Sequence, residues 1–217
     1  MSTEVHHPVF ARFVAYVAAR AEGTADDDLR RELLAGLSGR VIEIGSGSGP
    51  NFRLYPDAVT ELVAVEPEDY LRGKAEEAAA RSGRPIRVID ALADRLPFED
   101  SSFDAAVVAL VLCSVPSQAA ALAELRRVLR PGGELRFYEH VVAREPRYAR
   151  FQRLAGRVLP HLAGGCHPDR DTGRAIEQSG FEIERCRRFV SRECFFELPV
   201  APRILGAARR PKLLRPP

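Results

Sequence analysis

Three glycines alternate in the segment RVIEIGSGSGPNF, which has the pattern of a β-strand running into a tight turn. Gly45, Gly47 and Gly49 would let the backbone pass close beneath a ligand, because glycine has no side chain. A dinucleotide fingerprint, G-x-G-x-x-G, would need a further glycine where Pro50 stands. The spacing therefore weakens a dinucleotide interpretation and leaves other nucleotide-like ligands open.

Acidic residues follow or end successive strand-like runs. Glu43 stands just before the turn, and we expect its free carboxylate to favour a ligand that carries positive charge. Glu66 ends the second run, where a carboxylate can hold both hydroxyls of a ribose. Asp94 follows the third run and is placed to accept a hydrogen bond from an adenine amino group. A ligand with a cationic amino acid end, a ribose and an adenine is S-adenosylmethionine.

Near-continuous apolar runs alternate with helical patterns along the chain. The runs are VIEIG, ELVAVE, IRVID, DAAVVALVL and ELRFYEHV. Apolar strands separated by helices are typical of a parallel sheet that is covered on both faces. The periodicity predicts helices at about 9–21, 25–37, 70–81, 118–129 and 148–159, and one that ends near 179.

Four segments, in order and at suitable spacing, resemble the motifs of class I S-adenosylmethionine-dependent methyltransferases of type 11. They are VIEIGSGSG, VAVEP, ALADRLPFEDSSFDAAV and ELRRVLRPGGELRF, and they cover about residues 38–142. The resemblance implies a Rossmann-like, doubly wound α/β fold with a seven-stranded sheet. In that fold the seventh strand is antiparallel and inserted beside the fifth. FEIERCRRFV and RILGAARR would then be the sixth and seventh strands.

The same resemblance implies where the cofactor would lie. In the family the glycine loop lies under the cofactor, the residue matching Glu66 binds the ribose, and those matching Ala93 and Asp94 flank the adenine. The predicted cofactor-binding residues are Glu43, Gly45, Ser46, Gly47, Gly49, Asn51, Glu66, Pro67, Ala93, Asp94 and Leu110.

A closer likeness lies beyond these motifs. ALVLCSVPSQ, RFYEHV and GGCHPDRDTGRAIEQSGF are similar to the alkyl thiol S-methyltransferases of the methyltransferase-like group and to their bacterial relatives. The likeness implies a small-molecule acceptor, with a thiol as the specific hypothesis. Methylation of an aromatic carbon such as that of indole, or of a hydroxyl or nitrogen in secondary metabolism, is the alternative. A non-catalytic module that binds S-adenosylmethionine is a hypothesis of another class.

Candidate catalytic residues follow from the needs of an in-line methyl transfer, in which a base can remove a proton from the nucleophile. His140 is the first candidate base, because it ends the fifth strand and an imidazole titrates near neutral pH. His167 lies in a glycine-broken loop and is expected to line the acceptor pocket, with Asp169 and Asp171 as helix caps. Tyr16 lies on the first helix, which either covers the cofactor as a lid or packs on the sheet.

Length and composition limit the remaining possibilities. We expect one domain over residues 1–217, with lid helices at 1–37, a cofactor-binding core at 38–142, and the acceptor-side insertion and last two strands at 143–217. The net charge of +2 does not suggest a nucleic-acid partner. The apolar run VFARFVAYVAARA has only 13 residues, whereas a membrane span needs about 20. A monomer or a homodimer is expected.

The four cysteines include no C-x-x-C pair, so the spacing predicts no metal site. Their small number favours a reducing, cytoplasmic compartment. Cys113 follows an apolar strand and is expected to be buried packing.

Overall fold

A seven-stranded sheet organises the fold in the computed structural model, which describes residues 8–18, 23–191 and 195–212. The strands are β1 (Gly39–Ile44), β2 (Val59–Val65), β3 (Ile86–Ile89), β4 (Phe103–Ala109), β5 (Leu129–His140), β6 (Glu182–Val190) and β7 (Pro202–Arg209). Their spatial order is β3-β2-β1-β4-β5-β7-β6. Strand β7 is antiparallel to both of its neighbours. The predicted sheet, with its seventh strand inserted beside the fifth, is therefore confirmed.

Helices cover both faces and the carboxyl edge of this sheet. They are α1 (Pro8–Ala18), α2 (Ala25–Leu34), α3 (Asp69–Ser82), α4 (Gln118–Val128), α5 (Pro146–Ala155), α6 (Leu159–Leu162) and α7 (Thr172–Gln178). Short 3-10 helices lie at Phe52–Leu54 and Phe195–Val200. Among the helices of the described ranges, none combines the length and the apolar composition that crossing a bilayer requires.

Helix boundaries differ from the sequence prediction where local capping intervenes. The helix predicted at 148–159 begins at Pro146, because the Glu145 side chain accepts hydrogen bonds from the first backbone amides. It ends at Ala155, and α6 is a separate turn. The helix predicted at 9–21 is seen as 8–18, and residues 19–22 lie outside the described ranges.

Two apolar layers lie on the two faces of the sheet. One layer packs β-strand side chains against α4 and α7. The other packs them against α2 and α3 and includes Leu33 and Leu34, which are fully buried. The guanidinium of Arg136 donates hydrogen bonds to the carbonyl oxygens of Leu33 and Ala35, at 2.9 and 3.0 Å. Helix α2 is therefore part of the core, which differs from the lid role predicted for all of residues 1–37.

Helix α1 lies elsewhere, at the carboxyl edge of the sheet. A Cβ atom on Gly164 would lie 2.3 Å from the Phe10 ring, so α1 touches the loop that follows α6. The Arg12 guanidinium lies 5.8 Å from the centroid of the Tyr70 ring, at the start of α3. Helix α1 thus reaches from the start of α3 to the loop after α6.

Candidate active site

The glycine turn begins where β1 ends and is fastened to the end of β2. The backbone amides of Gly45 and Ser46 donate to the carbonyl oxygen of Val65, at 2.8 and 3.1 Å. The φ angles of Gly45, Gly47 and Gly49 are +62°, +57° and +78°, which is the left-handed region that favours glycine. The turn therefore lies at the carboxyl edge, where open α/β sheets bind their ligands.

The three glycines are needed for different reasons. A Cβ atom would lie 2.5 Å from a methyl group of Val111 at Gly45, and 2.7 Å from the Phe52 ring at Gly49. At Gly47 such an atom would meet nothing within 4 Å. Gly47 therefore faces open space, and its backbone is the part of the turn that a ligand can approach most closely.

Glu66 follows β2 and lies under the same turn. Its two carboxylate oxygens accept hydrogen bonds from the backbone amides of Gly47 and Glu68, at 2.8 and 3.0 Å. Burial raises the pKa of this carboxyl above its usual value. Each carboxylate oxygen has more than one acceptor position, so ribose hydroxyls can still donate to it. Pro67, the next residue, is half-buried beside it.

The expectation that Glu43 offers a free carboxylate is wrong. The side chain is buried, and it accepts hydrogen bonds from the Asn51 amide at 2.7 Å and from the Tyr55 hydroxyl at 2.8 Å. Burial raises the pKa of Glu43 to about 7. The Asn51 side chain is also buried, and its amide oxygen accepts from Arg30 at 3.0 Å. Both residues thus fix the turn from below, and a direct contact of either with the cofactor stays a prediction.

The other predicted cofactor residues border the same edge. The hydroxyl oxygen of Ser46 is buried and has no hydrogen-bond partner in the described part of the chain, so it can satisfy a polar ligand. Ala93 and Asp94 form a turn after β3, with Ala93 half-buried and Asp94 exposed. The open face of Gly47, the orphaned Ser46 hydroxyl and the remaining acceptor capacity of Glu66 fit an adenosyl amino acid. We call the ends of β1, β2 and β3 the cofactor half of the edge.

The loop after β4 begins with a strained residue. Leu110 has a φ angle of +62°, which is uncommon for a residue with a side chain, and its amide donates to the Tyr138 carbonyl oxygen at 2.7 Å. Strain of this kind concentrates at functional sites. Because Val111 then lies over Gly45, the strained turn brings the β4 loop against the glycine turn.

Glu139 holds this loop, and sequence reasoning did not assign it that role. Its fully buried carboxylate accepts hydrogen bonds from the backbone amides of Val111, Leu112 and Cys113, at 2.9, 3.0 and 3.1 Å. Burial nevertheless raises the pKa of Glu139 above its usual value. Strand alternation was the available signal, because it directs Glu139 away from the side that His140 faces.

His140 ends β5 and points at two sulfur atoms. Its Nδ1 atom lies 3.5 Å from the Sγ atom of Cys113 and 3.5 Å from the Sγ atom of Cys166. Both cysteines are buried, as expected for Cys113, and His140 is half-buried. A hydrogen bond with Cys166 and burial raise the pKa of the Cys113 thiol well above its usual range. We call these three residues the sulfur–histidine cluster.

His167 lies next to this cluster. Its backbone amide donates to the Cys113 carbonyl oxygen at 2.8 Å, and its side chain is half-buried. Burial and the nearby Arg170 lower the pKa of His167. Asp171 caps α7, as expected, whereas Asp169 lies against Gly156 and caps none of the helices in the described part of the chain. We call the ends of β4 and β5, with the 163–171 loop, the acceptor half of the edge.

Tyr16 lies on α1, and its side chain is 57% exposed. Helix α1 spans from the start of α3 to the 163–171 loop, and its role as a lid stays a prediction. The structure thus brings His140 and His167 into one half of the edge.

Known proteins with similar sequences and folds agree with this geometry. Residues 42–137 match Methyltransf_11, a methyltransferase domain. The chain is 36% identical to the thiol S-methyltransferase TMT1B of Mus musculus over 213 residues, which is 92% of this chain and 85% of that protein. The chain belongs to the class I S-adenosylmethionine-dependent methyltransferases. It is thus an enzyme that uses S-adenosylmethionine to methylate a small molecule.

One further sequence relative and one solved structure are similar to this methyltransferase. It is 30% identical to the ubiquinone/menaquinone biosynthesis C-methyltransferase UbiE of Burkholderia mallei over 151 residues, which is 65% of this chain and 59% of that protein. Its fold is similar to the S-adenosylmethionine-dependent methyltransferase of Mesorhizobium loti, with a TM-score of 0.66 and 22% identity, over 87% of this chain and 99% of that chain. The fold, the enzyme class and the cofactor predicted from the sequence are confirmed.

Proposed function

We propose that the acceptor of this methyltransferase is a thiol. The observation that carries the proposal is the reach of the likeness to thiol S-methyltransferases, which spans 92% of the chain. It therefore includes the acceptor half, where a methyltransferase selects its substrate. The likeness to the C-methyltransferase spans only 65% of the chain.

The cofactor half supplies the binding contacts in this proposal. S-adenosylmethionine, when bound, supplies an electrophilic methyl group on a sulfonium. The open backbone face of Gly47 lies against the ligand. Glu66 accepts hydrogen bonds from the ribose hydroxyls, and Asp94 accepts one from the adenine amino group. Glu43 and Asn51 act through the turn that they fix.

The acceptor half places the nucleophile. A thiol becomes a good nucleophile when it loses its proton. His140 is the proposed proton acceptor, because it is half-buried at the carboxyl end of β5. Glu139 positions the β4 loop beside it, and His167 lines the pocket. Helix α1, with Tyr16, excludes water from above.

Methylation of an aromatic carbon is the second candidate, and the likeness to UbiE favours it. The two functions differ in their products, because a thiol gives a thioether whereas an indole gives a carbon–methyl bond. The test uses the enzyme with S-adenosylmethionine that carries a deuterated methyl group. An alkyl thiol, the matching alcohol, a phenol and indole are offered in parallel, and products are read by mass spectrometry.

The proposal predicts a labelled thioether from the thiol at a rate at least tenfold above the rates with the other acceptors. A labelled indole with unlabelled thiol would contradict it and support the second candidate.

We also propose that the enzyme acts in the cytoplasm as a monomer or homodimer, without a nucleic-acid partner, and in secondary metabolism. Free cysteines at 113, 166 and 186 suit a reducing compartment.

A further inference from the structure

Three potential metal ligands converge in the acceptor half from three separate segments. The Sγ atoms of Cys113 and Cys166 and the Nδ1 atom of His140 all lie within 4.8 Å of one another. In the described part of the chain, the two sulfur atoms are the only hydrogen-bond partners of the His140 imidazole ring. Two thiols and an imidazole are the ligand types that Zn²⁺ prefers.

The distances within the sulfur–histidine cluster fit a tetrahedral zinc site. Zn–S bonds of about 2.3 Å and a Zn–N bond of about 2.05 Å, at a tetrahedral angle, put nitrogen and sulfur about 3.6 Å apart. Both observed separations between nitrogen and sulfur are 3.5 Å. Two zinc-bound sulfurs would be about 3.8 Å apart. The sulfur atoms, already within 4.8 Å, would need to move by no more than about 1 Å.

The backbone holds the three segments together without any metal. A Cβ atom on Gly165 would lie 2.7 Å from the Ser114 carbonyl oxygen, so only glycine lets the Cys166 loop approach the β4 loop this closely. The His167 amide closes the contact by donating to the Cys113 carbonyl oxygen at 2.8 Å. The ligands are therefore preorganised, which lowers the cost of binding an ion.

A cation beside the cluster suits an anionic metal site. The Arg170 guanidinium donates to the carbonyl oxygens of Leu112 and Val115, at 3.0 and 2.6 Å. These bonds hold the guanidinium against the β4 loop that carries Cys113. With two thiolates and a third bound sulfur, a zinc centre carries net negative charge, which a neighbouring arginine stabilises.

We propose that Cys113, His140 and Cys166 bind one Zn²⁺ ion, whose fourth position takes the acceptor thiol as a thiolate. The role of the fourth position rests on the proposed function, whereas zinc binding itself does not. When the acceptor binds, its S–H bond breaks, a Zn–S bond forms, a bound water leaves and the proton goes to solvent. His140 then acts as a ligand, and the metal replaces it as the cause of deprotonation. Zinc with three protein ligands and an open position is typical of catalytic sites.

The sequence prediction of no metal site conflicts with this inference. That prediction rested on the lack of a C-x-x-C pair, which is a rule for ligands that share one local turn. Here the ligands are 26 and 27 residues apart along the chain and meet only through the sheet. Spacing rules do not detect such a site.

The zinc content of the purified full chain tests the site itself. The wild type, reconstituted with zinc and desalted, is compared with Cys166→Ser and Cys113→Ser by elemental mass spectrometry. Cys186→Ser is the matched control, because Cys186 is exposed on β6. Thermal melting and calorimetric binding of S-adenosylhomocysteine show that each variant is folded. The expected result is about one zinc per chain in the wild type and the control, and a loss of at least tenfold in both cluster variants.

Cobalt substitution adds a spectroscopic readout. A thiolate-to-cobalt charge-transfer band is expected in the wild type and in Cys186→Ser, and not in Cys166→Ser. A wild type that retains no zinc would overturn the proposal. So would equal zinc in folded Cys166→Ser, or a stable Cys113–Cys166 disulfide in the protein as purified.

Turnover separates this proposal from the proposed function. We expect chelation to slow methylation of the alkyl thiol at least tenfold and zinc to restore it. If zinc-free enzyme methylates the thiol equally fast, the role of the fourth position is refuted and the proposed function stands. If zinc binds through the three ligands but no thiol is methylated, the proposed function fails and the metal site stands.

Discussion

The two halves of the carboxyl edge are held by contacts of different range. In the cofactor half, Gly45, Ser46 and Gly47 bond to the end of β2 within a span of 22 residues. In the acceptor half, the β4 loop bonds to Glu139, which lies 26 to 28 residues further on, and also to His167, which lies 54 residues beyond Cys113. The cofactor half is thus built from the ends of two consecutive strands, whereas the acceptor half joins three segments that are far apart in the chain.

This difference separates the tasks of the enzyme. The ends of these two strands can keep the same cofactor contacts while the rest of the chain changes. The acceptor half is assembled from β4, β5 and the 163–171 loop, so changes in any of them alter the pocket for the acceptor. We therefore expect substitutions in the cofactor half to change cofactor affinity, and those in the acceptor half to change turnover.

Gly47→Val is expected to have the largest effect. A branched side chain would fill the open space over the turn and would adopt a φ angle of +57°, so the affinity for S-adenosylhomocysteine should fall about 1000-fold or more. Gly36→Val is the matched control, because Gly36 has a φ angle of +77°, meets nothing within 4 Å, and lies before β1 at the opposite edge. Calorimetry on both variants checks this, and an unchanged affinity in folded Gly47→Val would refute the role of the turn.

His140→Ala tests the acceptor half. We expect kcat to fall about 100-fold, because the group that promotes deprotonation of the acceptor is lost. The affinity for the cofactor should stay within about threefold, since in the described structure the hydrogen bonds of the His140 ring go to Cys113 and Cys166, outside the glycine turn. His161→Ala, on an exposed side chain of α6, is the control. Wild-type turnover in His140→Ala would remove this residue from the mechanism.

The buried Glu43 should make the stability of the cofactor half depend on pH. Burial raises its pKa from 4.5 to about 7, so the folded state binds a proton more tightly than the unfolded state between these values. This contribution to stability is complete below about pH 4.5 and is lost as the pH rises through 7. Compared with Glu43→Gln, the wild type should lose about 2–3 kcal/mol of unfolding free energy between pH 4.5 and 7.5.

Denaturant unfolding of the two proteins across this pH range measures that difference. Glu43→Gln is a suitable reference, because the Tyr55 hydroxyl can accept a hydrogen bond from the new amide. Parallel stability curves for the two proteins would show that Glu43 does not titrate in this window.

Glu139→Gln is expected to have the smallest effect, confined to the acceptor half. The amide replaces one acceptor oxygen with a donor that faces a backbone N–H, so the free energy of unfolding should fall by about 1–2 kcal/mol. Turnover should fall while the cofactor affinity stays within about threefold. Glu182→Gln, on an exposed residue of β6, is the control. A loss of cofactor affinity with normal turnover would reverse the comparison between the two halves.

The sequence predicts those parts of the molecule that a contiguous motif marks directly. The glycine turn, Glu66 and the order of the strands follow from contiguous motifs, and the structure has them where they were expected. The prediction of a free carboxylate at Glu43 was wrong. Its partners Asn51 and Tyr55 are brought to it by the fold of the chain after the turn, which no motif in the sequence marks.

Long-range partners explain the remaining differences. Glu139 precedes His140 in the sequence, and nothing there indicates its partners. In the structure its carboxylate accepts hydrogen bonds from the backbone amides of the loop after β4. Helix α2 has the amphipathic pattern of either a lid or a core helix, and the burial of Leu33 and Leu34 with the bonds from Arg136 on β5 shows that it is a core helix. The sulfur–histidine cluster likewise depends on the close approach at Gly165.

A crystal structure of the complex with S-adenosylhomocysteine tests the central claim most directly. We expect the ribose on Glu66, the amino acid end over Gly47, and the thioether sulfur facing the sulfur–histidine cluster across a space that an acceptor can fill. A ligand whose sulfur faces away from Cys113, His140 and Cys166, or one bound elsewhere than at the carboxyl edge, would contradict it.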